Sequence, residues 1–183
     1  MKLNKIINFI LFQSIWLACV IGAANNNMIS AWILFATLVY WQLFCSKNRN
    51  SKDLYFVATL LPMGMVIDSL WVYFKLIEYK ELWPSSSLAP YWIGVLWVTF
   101  ALSLNHSMKW LFDHPKIALI FGALGGPLSY LAAQRLGAII IDRLYLTLML
   151  LSLAWLLTMG IILYLNKKLD NKETPSLEKA NHA

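Results

Sequence analysis

Six apolar runs, each 18 to 24 residues long and divided by short polar connections, take up most of this chain. They cover residues 6–24, 28–45, 54–77, 88–108, 117–134 and 144–165. A helix rising 1.5 Å per residue needs about 20 such residues to cross the hydrocarbon core of a bilayer. Lipid offers no hydrogen-bond partners, so each crossing must satisfy its own backbone, as a helix does. The fold class expected is therefore all-α: a polytopic integral membrane protein built as a bundle of six transmembrane helices, with the lipid bilayer as its solvent. Composition agrees, since 60% of the 183 residues are hydrophobic, against about 45–50% in a soluble domain.

The net charge of +6 does not point to nucleic acid, because the basic residues are scattered through short loops instead of lining one face. They report topology. With six spans, Lys2, Lys5, Lys47, Arg49, Lys52, Lys109, Lys116, Lys167, Lys168, Lys172 and Lys179 share one side, and Lys75, Lys80, Arg135 and Arg143 the other. The positive-inside rule then puts both termini in the cytoplasm. The first run also has the basic start and the small residues Gly22-Ala23-Ala24 of a signal peptide. Its length, and the next run following at once, favour a retained helix. The charged tail, residues 167–183, contains Pro175 and is expected to be a disordered cytoplasmic extension.

The sharpest chemical feature is Asp68, the one charged side chain of 24 that lies well inside an apolar run. It falls about 21 Å along its helix from Leu54, in the outer half of the bilayer. An intramembrane carboxylate costs roughly 2.5–3.5 kcal/mol on insertion scales and normally faces the bundle interior. Asp68 could pair with Arg135 or Arg143, donate to another helix as a protonated acid, or hold substrate. Lys75 lies two turns further on the same stripe, and Gly64 one turn before it leaves room for a neighbouring helix. Gln13, about 12 Å along helix one from Lys5, and Asn105 and His106, late in helix four, are expected to meet in a second polar group.

Helix five is rich in small residues. Gly122 and Gly126 have the spacing that lets two helices approach closely, and Pro127 should bend the helix near mid-bilayer. Cys19 and Cys45 form no C-x-x-C pair and read as small hydrophobes. Asp113-His114 has no second partner at ligand spacing, so no metal is expected. No nucleophile-elbow, zinc-protease, Walker or dinucleotide motif is present, and no cofactor is expected. A Trp-x-x-Phe-Ala match between Trp32 and Trp97 is too short to establish a repeat.

Several stretches together resemble a family of small bacterial inner-membrane proteins, domain of unknown function 2878. They are Asn8-Phe9, Phe12-Gln13, Trp16 and Gly22-Ala23 in helix one, then Gly64 and Asp68-Ser69 in helix three. Ala89-Pro90, Trp92, Leu96-Trp97, Phe100-Ala101 and His106-Ser107 follow. Gly122-Ala123, Gly125-Gly126-Pro127, Ser129-Tyr130 and Leu136-Gly137-Ala138 complete the resemblance. It implies the inner membrane of a bacterium, no assigned activity, and, from neighbouring fatty-acid-modifying genes, a lipid-linked role.

Three functions are open at this point. The first is a carrier or binding protein for a small or lipid-like molecule, using Asp68, Gln13, Asn105, His106 and the Gly126-Pro127 break. The second is a membrane enzyme or enzyme subunit in lipid modification, with His106 as base and Asp68 or Asp113 in support. The third is an assembly protein that joins a second copy or another membrane protein through Gly122 and Gly126.

Overall fold

The structure, a computed structural model, describes residues 2–45 and 50–180, and the side chains of residues 3–44 and 50–171. The expectations attached to Cys45, Lys47, Arg49 and residues 181–183 fall outside these. Helix α1 spans Lys2–Ala24, α2 Ile29–Tyr40, α3 Lys52–Tyr73, α4 Tyr91–Leu104, α5 Trp110–Asp113, α6 Pro115–Arg135 and α7 Leu144–Ala180. A π-helical turn, Trp41–Cys45, prolongs α2, and two short strands, β1 (Ile77–Tyr79) and β2 (Ile139–Ile141), pair antiparallel.

The chain is all-α apart from that strand pair. Among the described residues, α1, α3, α6 and α7 are long and apolar enough to cross a membrane, while α2 with its turn and α4 are apolar but shorter. Leu128, Met149 and Leu157 are exposed on the outward faces, as expected where lipid is the solvent. Helix α4 is buried at ten of its fourteen positions, which suits a helix that is apolar all round. It packs on α3 and α1, α1 packs on α2, and α6 packs on α7.

One architectural feature was not visible in the sequence: the segments α3–β1 and α6–β2 follow one pattern, and each leads into a helix, α4 or α7, that supplies the tryptophan packed on the segment's glycine. Lys75 follows Gly64 by eleven residues, as Gly137 follows Gly126, and both Lys75 and Gly137 have positive φ. Each closes its helix in the same way, with the Leu76 amide donating to the Trp71 carbonyl (2.9 Å) and the Ala138 amide to the Ala133 carbonyl (3.0 Å). This is the left-handed helix stop that glycine makes easily and lysine makes at a cost. The strands begin two residues later in both units. Their register pairs Glu78 with Ile140, the two positions that correspond, so a local two-fold axis passes through the strand pair.

Four expectations about element boundaries need correction. The third helix ends at Tyr73, which takes Lys75 off the Asp68 stripe. The fourth ends at Leu104 and gives way to turns and α5. Helix α6 runs unbroken through Gly126-Pro127. Pro127 has no N–H to offer the Ala123 carbonyl, and the Ser152 hydroxyl of α7 donates to that carbonyl instead, at 2.8 Å; a neighbouring hydroxyl is a usual remedy for proline in a membrane helix. The tail is helical as far as Ala180, and Asp170 in its first turns is paired with Lys52 of α3.

Candidate functional site

Helix α3 buries Asp53, Phe56, Leu60, Gly64 and Asp68 at steps of three and four, the spacing of one helix face. Asp68 has no exposed surface. The Tyr79 hydroxyl of β1 donates to its Oδ1 at 2.6 Å, the Tyr130 hydroxyl of α6 to the same atom at 2.5 Å, and the Trp97 indole of α4 to Oδ2 at 2.7 Å. Burial, then the adjacent carboxylate, pushes the Tyr79 phenol well above its ordinary value, so it stays a donor. The expected cations are elsewhere: Arg135 is exposed, and Arg143, also exposed, lies 3.6 Å from Asp142. Asp68 and Tyr130 occupy corresponding positions in the two repeat units, each four residues after its glycine.

Those glycines explain how the rings reach the acid. A Cβ on Gly64 would lie 2.0 Å from the Trp97 ring, and one on Gly126 would lie 2.2 Å from the Trp155 ring. Trp97 and Trp155 stack on each other with centroids 5.2 Å apart and planes 6° from parallel. Two indoles are thus held face to face between two glycines, one pair from each unit. Phe100 meets both rings edge-on. Gly122 likewise seats Met159, so the close approach offered by Gly122 and Gly126 is used within the chain, by α7.

Beside the stack lies a cavity of about 390 Å³, within the usual range for small-molecule sites. Its walls come from both repeat units and from α1: Phe12, Gln13 and Trp16 on one side, Phe121, Gly125 and Ser129 of α6 on another, with Asp68 and its three donors at the inner end. Helices α1 and α6 are not among the closely packed pairs. Exposed Gln13 and Phe121 line the gap between them.

A second polar group lies at the other end of α3. Asp53 accepts from Asn105 Nδ2 (2.7 Å) and Gln42 Nε2 (2.9 Å), and His106 Nε2 is 2.8 Å from its Oδ2. Asn8 joins through Ser107, whose hydroxyl donates to Asn8 Oδ1 at 2.7 Å. All but Ser107 are buried. The group ties α1, the π turn, α3 and the end of α4 together, with Gln42 of the π turn buried in it.

Of the residues singled out from sequence, Asn105 and His106 do come together. Gln13 does not join them and stands at the cavity, with Asp68, Gly126 and the α6 wall. The acid beside His106 is Asp53, not Asp68 or Asp113, which is exposed on α5. Sequence reasoning left Asp53 in a polar loop, although the three-and-four spacing back from Asp68 through Leu60 and Phe56 leads to it. Gln42, Asn8, Tyr79 and Tyr130 were missed as partners, because only the fold brings their elements together. Among the described residues, no group of three His, Cys, Asp or Glu side chains is placed to hold a metal ion.

A family model described as a protein of unknown function, DUF2878, matches residues 5–161. The chain belongs to the DUF2878 family. No curated protein and no solved structure matches it. The matched stretch takes in both repeat units of this DUF2878 protein as far as α7, together with α1 and both polar groups.

Proposed function

We propose that this DUF2878 protein binds or carries a small or lipid-like molecule in the cavity between its repeat units. The carrying observation is the position of that cavity. It lies where two repeated units meet about a local two-fold axis, beside an intramembrane acid contacted from both units. Transporters built from parallel repeats bind their substrates at such interfaces, near mid-membrane. The gap between α1 and α6 would admit a molecule directly from the lipid phase. In this reading the chain crosses a bacterial inner membrane six times, with both termini in the cytoplasm. The four long helices, the two shorter apolar ones and the eleven-to-four distribution of basic residues support that topology.

Gly125 provides the test. It lines the cavity, and a Cβ there would meet nothing nearer than the Phe121 ring at 4.0 Å. Gly125→Leu should therefore fill the cavity without disturbing the fold. Native mass spectrometry of the purified chain should show a retained adduct in the parent and none in Gly125→Leu. Equal adducts in both, or none in either, would overturn the reading. An enzyme reading would rest on the His106–Asp53 contact, but both groups are buried and enclosed by Asn105 and Gln42. That arrangement favours a fastening role.

A further inference from the structure

The chemistry of the cavity's inner end restricts what can bind there, and this inference rests on the binding reading above. Asp68 is the only charged residue among the described residues that line the cavity. Its carboxyl group lies at the polar edges of Tyr79, Trp97 and Tyr130. The two tyrosine hydroxyl protons and the Trp97 N–H are already given to Asp68. The Trp92 N–H is given to the Lys80 carbonyl (3.0 Å), and the Ser129 hydroxyl to the Gly126 carbonyl (2.6 Å). A tyrosine or serine hydroxyl whose proton is committed has only lone pairs left to offer.

The inner end thus presents hydroxyl oxygens beside the one carboxyl group of the lining. A carboxylate, sulfate or phosphate group would meet lone pairs and another acid there. A neutral hydroxyl could donate one hydrogen bond. A protonated amine suits the inner end best: it donates to the oxygens, and its charge and an ionised Asp68 favour one another. Apart from Gln13 at the gap, the rest of the lining is mostly apolar, and the gap faces the lipid.

We propose that the molecule held here is an amphipathic amine, with its protonated N–H group at Tyr79 and Tyr130 and its apolar part lying along α6 towards the gap. Such an amine could be a free alkylamine or the amino headgroup of a membrane lipid.

The test uses the full chain in nanodiscs of phosphatidylcholine, with tryptophan fluorescence reporting binding of decylammonium, decanol and decanoate. Empty discs correct for partition into lipid. Decylammonium should bind about tenfold tighter than decanol, a difference of about 1.4 kcal/mol, and decanoate should bind weakest. Asp68→Asn should bring decylammonium and decanol to within about twofold while decanol binding persists; the ranking on the unaltered chain decides the matter even if that variant does not fold. Decanol binding as tightly as decylammonium would overturn the amine assignment and leave the binding reading intact. Failure of all three to bind above empty discs, with Gly125→Leu behaving like the parent, would overturn both. Repeating the titration with phosphatidylethanolamine in the discs separates the sources. Weaker decylammonium binding there identifies the lipid amine, and an unchanged affinity identifies a free amine.

Discussion

Asp68 organises its surroundings by what it accepts. Three buried donors from β1, α4 and α6 converge on one carboxyl group. A buried donor left unpaired costs about 1–3 kcal/mol. Asp68→Ala should therefore destabilise the protein by several times what a surface substitution does, lowering its thermal midpoint in detergent. Asp68→Asn keeps an acceptor oxygen in place and should cost less. A midpoint for Asp68→Ala equal to that of Asp68→Asn would show that the donors find other partners. The sequence marked Asp68 as inward-facing on depth alone, and that was sound. It offered Arg135 or Arg143 as partners in one of three readings, because they fall at the outer ends of neighbouring spans. Tyrosine and tryptophan, so common near membrane interfaces, carry no comparable signal, and only their elements' placement singles out Tyr79, Tyr130 and Trp97.

Among the elements, α6 and α7 depend most on small residues. Gly126→Ala puts a Cβ into the Trp155 ring and should displace Trp155 from its stack with Trp97, lowering the thermal midpoint and shifting the tryptophan emission. An unchanged emission spectrum would count against the stack. Ser152→Ala should cost about 1–3 kcal/mol by leaving the Ala123 carbonyl unpaired beside Pro127; the same midpoint assay would detect it. Helix existence was legible throughout, since long apolar runs admit little else. Helix ends were not. Lys75 stops α3 in a conformation that glycine, not lysine, announces, so the span was read too far. Tail residues with ordinary helix propensity simply continued α7, where charge and Pro175 had suggested disorder.

For the whole molecule, the repeat and the topology belong together. The connections after α3 and α6 meet in the β1–β2 pair, while the ends of α2 and α4 meet the starts of α1 and α3 at the opposite end. In a chain otherwise free of cysteine, Ser86→Cys should react with an impermeant maleimide in intact spheroplasts, and Lys109→Cys should react only after lysis. The reverse result would turn the protein over. The duplication escaped the sequence because most of its matched positions hold unlike residues: Asp68 against Tyr130, Lys75 against Gly137, Glu78 against Ile140. Beyond Gly64 against Gly126 and Ile77 against Ile139, what repeats is geometry.

That mismatch has a further consequence. A frame with two-fold symmetry and like groups at its matched positions would accept a guest equally well in either of two poses. Here one half contributes an acid and the other a phenol, so two such poses would differ in energy and a guest with distinct ends would be held one way round.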